Sequence, residues 1–449
     1  MEKNVKKVMP MIMFVFILAG TLQEAINICA PVIAKDLAIP SSSVSMISAV
    51  AMLTMGVSYI VYTSLSDFVS IKKLLIIGIT ISTIGSIGGL LFSHSFILLI
   101  IFRAIQMAGG TSASALLILT ATRYLSEETR IKYYGYNTAC FSGGQMLGIL
   151  LGGLFATYVG WKFLFAVPIF SLLAIPLILK YLPDDSKDGT KKIDFFGITL
   201  MSALSLFISL YFNMLKPSLL LISIAIAISF LVYISKYKHA FITIDFFKNW
   251  KYMLVILVVL LTYLPQGSYS FLFSFMAANV YHIPLSKISM LLLPSYLVSM
   301  IIGIMGGRIT KKMGVTRTLL MGMGSMALGV LIGSIFLEKS ISVLFLMSCL
   351  FNGGFAILYT PIMILVINSL PENMRGTGLG FFNLCIKIAS STGLVITGKL
   401  ITNNSLQHTQ MLKHISESSL VYSNILLIFF AVVIVSLITA NIVKRFLLK

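Results

Sequence analysis

Charge is what this sequence has least of. Only 10% of its 449 residues are charged, and acids number 14 against 33 lysines and arginines. A soluble domain carries roughly 25% charged residues. With 58% hydrophobic residues and a mean hydropathy of +1.00, a water-soluble globule is excluded and a bilayer is the fitting solvent. Cysteine is scarce. Cys29, Cys140, Cys349 and Cys385 all fall in apolar runs and form no C-x-x-C pair, which argues against a metal site or a disulfide framework. The five histidines (His94, His239, His282, His408 and His414) sit at loops and span ends. No phosphate-binding loop with its lysine is present, which excludes an ATP-driven pump acting alone. Nothing suggests covalent catalysis, so the chain is not read as an enzyme and no cofactor is expected. The net charge of +19 could point to nucleic acid. Its cations, however, lie in short loops between apolar runs, where an anionic membrane surface is their partner.

A membrane span needs about 20 apolar residues. Fourteen segments qualify: 9–32, 44–65, 73–93, 96–121, 133–158, 163–181, 195–214, 218–235, 252–279, 288–307, 316–337, 341–369, 376–401 and 421–443. The first resembles a secretory signal at its start, but it is too long and contains Glu24. If the N-terminus is cytoplasmic, 24 of the 33 Lys and Arg fall on the cytoplasmic side and 7 outside, while Arg103 and Lys387 lie within spans. By the positive-inside rule, both termini are expected in the cytoplasm of a multi-pass cell-membrane protein.

An internal repeat accompanies the spans. YTSLSDFVSIKK (62–73) after span 2 corresponds to GGRITKKMGVTR (306–317) after span 10, an offset of 244 residues. One residue more aligns Gly148 and Gly153 with Gly393 and Gly398. The expected fold is all-α, with fourteen transmembrane helices in two pseudo-symmetric six-helix bundles. Residues 1–192 would form the first, 193–240 an inserted pair (spans 7 and 8), and 241–449 the second. Parallel halves with a central site are a transporter architecture.

Within the spans one carboxylate stands out. Glu24 costs roughly 2.5–3.5 kcal/mol at a helix centre, and an acid kept at that depth is a functional hypothesis. Thr21, Glu24, Asn27 and Pro31 share a helix face. The carboxyl either exchanges a proton during transport or is locked in a hydrogen-bond network. Arg103 in span 4 lies at a matching depth. A buried guanidinium needs compensation, so it is expected to sense Glu24 directly or through water, or else to be satisfied by backbone carbonyls and polar side chains. Lys387, mid-span 13, is too deep to reach the interface easily. It is expected to line a water-filled cavity or to be neutralised by burial.

Asp67, beside Lys72 and Lys73 in the tight turn after span 2, can meet the positive end of a helix and hold the cytoplasmic side shut. Otherwise it is simply solvated. Gly143, Gly144, Gly148, Gly152 and Gly153 in span 5 permit close helix approach. Gln145, Gln266, Tyr269, Asn352 and Asn383, with Asn27 and Lys387, are candidates for lining a pocket for an amphipathic substrate, or for helix–helix contacts.

YTSLSDFVSIKKLLIIG and FRAIQMAGG resemble the loop 2–3 and span 4 signatures of the major facilitator superfamily, with Thr63 in place of a glycine. GGQMLGILLGG resembles its span 5 antiporter signature, with Gly148-Ile149 where Gly-Pro is usual. From end to end, including NLCIKIASSTG (383–393) and VYSNILL (421–427), the chain is most similar to the fourteen-helix drug:proton antiporters of Gram-positive bacteria. That resemblance implies proton-driven export of tetracycline-like or other lipophilic drugs by a monomer surrounded by lipid. Glu24 and Arg103 would couple protons, and Asp67 would act at the gate. Glutamates found in spans 5 and 13 of tetracycline exporters are Gln145 and Ser390 here. The alternatives are export of an endogenous metabolite, lipid or siderophore, since Arg103 and Lys387 outnumber Glu24 and would suit an anion, or a non-transporting membrane sensor.

Overall fold

A computed structural model describes residues 2–66, 69–184, 194–237, 247–371, 375–412 and 415–447. Fourteen helices are long and apolar enough to cross a membrane, and among the described residues there is no strand. They are α1 (Glu2–Asp36), α2 (Ser41–Leu65), α3 (Ile71–Leu91), α4 (Phe96–Tyr124), α5 (Glu127–Leu154), α6 (Trp161–Tyr181), α7 (Phe195–Met214) and α8 (Pro217–Lys236). The remainder are α9 (Trp250–Tyr281), α10 (Leu285–Met313), α11 (Val315–Phe336), α12 (Ile341–Asn368), α13 (Arg375–Ile401) and α14 (Leu420–Leu447). Left-handed backbone is needed at two of the tight connections, and glycine supplies it there: Gly160 (φ 114°) between α5 and α6, and Gly314 (φ 83°) between α10 and α11.

Packing follows the 244-residue offset. α1 packs on α5 as α9 packs on α13; α3 packs on α4 as α11 packs on α12; α2 packs on α4 as α10 packs on α12. The two sets meet where α2 packs on α13, where α5 packs on α10, and where α1 packs on α9. The correspondence reaches single residues. Gly153 of α5 lies against Ser289 of α10, and Gly398 of α13 lies against Ser45 of α2. Thr157 Oγ1 accepts from the Ser286 N–H at 3.2 Å, and Gly398 O accepts from Ser41 Oγ at 3.1 Å. α7 packs on α8, α2 and α13.

Because the spans alternate in direction, both chain termini fall at one end of the bundle, here the terminal end; the other is the far end. Among the described residues, every hydrogen bond between α1–α6 and α9–α14 lies in the far half. They join Glu24 or Asn27 to Ser270, Ser274 to Asn27 O, Ser41 to Gly398 O, Thr157 to Ser286 and Ala49 O to Ser391. Toward the terminal end, Gly303 and Gly307 of α10 have no atom within 4 Å of the position a Cβ would take. Ser289, Gly303 and Gly307 lie on nearly one face by helical spacing, so the face of α10 that is packed on α5 at the far end is open nearer the termini.

Small residues permit this packing, since apolar burial gives helices no advantage over lipid tails. A Cβ at Gly148 would lie 2.4 Å from Thr21 O and 2.8 Å from Glu24 Cβ; one at Gly152 would lie 3.0 Å from Ala25 Cα. Gly144 faces Gly20 at similarly short range. Gly143, expected to share this packing, has nothing within 4 Å, because it lies 100° around α5 from Gly144 and off the α1 seam.

The two glycines therefore separate cleanly in a thermal-unfolding assay of detergent-solubilised protein. Gly148→Ala is expected to cost about 1–3 kcal/mol through overpacking. Gly143→Ala should be neutral or stabilising by about 0.5–1 kcal/mol, as glycine-to-alanine changes in open helical sites are. Equal losses at both positions would contradict the packing described.

Candidate functional site

Glu24 is 7% exposed and sits at the seam of the two helix sets. Gln145 Nε2 of α5 donates to its Oε1 at 3.0 Å. Ser270 Oγ of α9 donates to its Oε2 at 2.9 Å, and Asn27 Nδ2 does so at 3.4 Å. Bonds to an ionised acceptor are stronger than neutral ones, and three donors compensate much of the burial cost. Gly148 makes room for the Glu24 side chain, so the glycine run of α5 serves this site as well as the packing of α1.

Two further groups lie near the carboxylate without bonding to it. Tyr296 of α10, 6% exposed, faces Glu24 and Ser270. Lys387 of α13 interacts coulombically with Glu24. Its Cβ rests on α2, 3.0 Å from where a Cβ of Gly56 would be, and its Nζ lies over the Phe141 ring, 5.7 Å from the centroid. Lys387 thus has named surroundings, an ammonium over an aromatic face on the side of α5 that also presents Gln145 to Glu24.

Arg103 is placed differently from the expected pairing with Glu24. Fully buried, it donates through Nη2 to Gln23 Oε1 at 2.8 Å and through Nη1 to Gln106 Oε1. Neither ion pair among the described residues involves it. The reason is helical geometry. Residues 23 and 24 point about 100° apart on α1, so Gln23 meets α4 while Glu24 meets α5 and α9. The second expectation, satisfaction by polar side chains, describes what is found. Arg103 Nε and the amide nitrogens of Gln23 and Gln106 are buried without partners.

Of the other sequence candidates, Tyr269 and Asn352 belong to the packing of the second helix set. The Tyr269 ring stacks on Phe351 with centroids 4.1 Å apart and its hydroxyl meets Ser348 Oγ at 3.0 Å. Asn352 donates to Ser295 Oγ at 3.1 Å. Gln266 and Asn383 are half-buried. Asp67 lies outside the described residues. Nearby, Lys73 pairs with Asp184 at 3.5 Å, and Ser70 Oγ donates to the same carboxylate at 2.6 Å. The Ser70 hydroxyl, then Lys73 and Lys72, hold the exposed Asp184 carboxyl below its usual range. Lys72 and Lys73 therefore act on the end of α6.

Ser270 and Tyr296 were not singled out from sequence. Ser270 carried a usable signal, because the repeat offset sets α9 opposite α1 and puts 268–270 level with Glu24. Tyr296 carried none. Among the described residues, no group of three His, Cys, Asp or Glu could hold a metal.

A family model described as Major Facilitator Superfamily matches residues 12–394. The chain is 23% identical over 389 residues to multidrug resistance protein Stp of Mycobacterium tuberculosis, covering 84% of this chain and 72% of that protein. It is 26% identical over 361 residues to multidrug resistance protein 3 of Bacillus subtilis, covering 76% and 69%. Among solved structures, it superposes on the POT family transporter PepTSo with a TM-score of 0.72 at 14% identity, covering 98% of each chain. On the nucleoside transporter NupG the TM-score is 0.67 at 11% identity, covering 99% of each. At such identities the structures show a shared fold.

Double-mutant cycles on unfolding stability distinguish the two partners of Arg103. Arg103→Met combined with Gln23→Leu should show a coupling of about 1.5–3 kcal/mol, the range for a bond to a charged group. Arg103→Met combined with Glu24→Gln should couple by less than about 0.5 kcal/mol. The reverse order would restore the direct Arg103–Glu24 pair.

Proposed function

The chain belongs to the major facilitator superfamily, and on that footing we propose that it is a proton-coupled antiporter exporting tetracycline-like or other lipophilic drugs by alternating access. The observation that carries this reading is the cross-set position of Glu24. Its donors come from α1, α5 and α9, so its charge state bears directly on how the halves are joined. Relatives named for multidrug resistance support a drug as substrate, and the apolar composition suits a lipophilic one.

With the terminal end taken as cytoplasmic, as the Lys and Arg distribution favours, the arrangement corresponds to an inward-facing state sealed on the outside. Ionised Glu24 accepts three hydrogen bonds and helps hold that seal. Drug enters from the cytoplasm and competes for the groups around Glu24, and the halves rock about the seam. Outside, a proton neutralises the carboxyl as the drug leaves. The neutral acid loses acceptor capacity on one oxygen, worth about 1.5–3 kcal/mol per bond to a charged group, or roughly a tenfold to hundredfold shift between states. The cycle closes when the proton is released inside. No second carboxylate occupies the Gln145 or Ser390 positions, so Glu24 bears the exchange alone.

Glu24→Gln tests this in inverted membrane vesicles with an imposed pH gradient. Uphill accumulation of tetracycline or another transported drug should fall at least tenfold, while downhill drug movement persists. Accumulation equal to wild type would remove Glu24 from coupling.

A further inference from the structure

Charge at the seam comes in a pair. Glu24 is bonded through Gln145, and the Lys387 ammonium stands over Phe141. Phe141 and Gln145 are four residues apart on α5, so they share a face one turn apart, about 6 Å along the axis. Phe141 is 37% exposed even with Lys387 of the opposite helix set over its ring, and Lys387 is itself partly exposed. Each end of this pair has a polar group without a partner. Asn27 Oδ1 beside Glu24 is buried without a donor, and among the described residues Lys387 has no carboxylate within ion-pair distance.

We propose that the face of α5 bearing Phe141 and Gln145, together with Lys387 and Glu24, forms a dipolar binding site that selects amphipathic zwitterions over singly charged compounds. This rests on the reading of Glu24 given above and names the substrate class of the same site. An acidic group of the ligand pairs with Lys387, its ring lies on Phe141, and its ammonium meets ionised Glu24 and Asn27 Oδ1. A lone cation gains Glu24 but is repelled by Lys387. A lone anion gains Lys387 but is repelled by Glu24. Only a ligand with both charges replaces the lysine–glutamate attraction instead of breaking it. Such a ligand also suits exchange, because protonating Glu24 removes the partner of its ammonium.

The test measures equilibrium binding of three probes with one fluorophore to purified full-length protein in detergent at pH 7.5, without any gradient. The probes are ε-dansyl-lysine (zwitterion), dansylcadaverine (cation) and dansyl-aminohexanoate (anion). Wild type should bind the zwitterion about tenfold or more tightly than either of the others, the scale of one charge-assisted bond. Lys387→Met should abolish the preference over the cation, and Lys387→Arg should keep it. Glu24→Gln should abolish the preference over the anion. Wild type binding the cation or the anion as tightly as the zwitterion, or binding none of the three, overturns the proposal. So does a Lys387→Met protein, eluting as a monodisperse peak, with an unchanged ratio. Since no proton gradient is involved, failure here leaves the coupling result untouched, and failure of coupling leaves this result untouched.

Discussion

A carboxylate at membrane depth has to be given donors, and at Glu24 those donors come from both six-helix sets. Gln145 reaches it from α5 and Ser270 from α9, so the lowest-energy way to bury this charge is also a way to hold the halves together. Much of the surrounding architecture serves that arrangement. Gly148 removes a Cβ that would collide with Glu24. Gly153 and Gly398 let α5 and α13 approach the opposite set at equivalent places. Hydrophobic burial cannot decide these contacts, because lipid is as apolar as the helix surfaces. Close packing and a few hydrogen bonds decide them instead.

The polar interior is divided between two systems on successive residues of α1. Gln23 with Gln106 serves Arg103, inside the first helix set. Glu24 serves the seam. This division keeps a permanent cation out of contact with the carboxylate, whose charge can then change without unpairing a buried guanidinium, a loss that elsewhere costs about 3–5 kcal/mol. At the seam the counter-charge is Lys387, which is not in contact and is only half-buried.

The span pattern was legible in the sequence because a bilayer demands runs of about 20 apolar residues, and few other constraints are so long-ranged. The repeat was legible from a glycine spacing and a basic turn, and the same offset reappears in the Gly153–Ser289 and Gly398–Ser45 contacts. Depth was readable too, as Arg103 does sit level with its α1 partner. Rotation was not. One residue on a helix is 100° of azimuth, so depth alone could not decide between Gln23 and Glu24 as partner, or between Gly143 and Gly144 as the packed glycine. The contacts of Tyr269 with Phe351 and Ser348, and of Asn352 with Ser295, were hidden for the same reason. The environment of Lys387 was hidden for a different reason. Its neighbours, Gly56 and Phe141, belong to the other helix set and lie more than 200 residues away in sequence.

The central claim is that the ionised Glu24 carboxylate holds the far end closed. It is tested most directly by distances between spin labels at positions 39 and 283, in the far-end connections α1–α2 and α9–α10, in protein whose four native cysteines have been replaced. The account predicts one short distance when Glu24 is ionised. A second, longer population should appear, shifted by roughly tenfold or more in ratio, when the sample is acidified or when Glu24 is replaced by Gln. A distance distribution that is the same under all three conditions would contradict it.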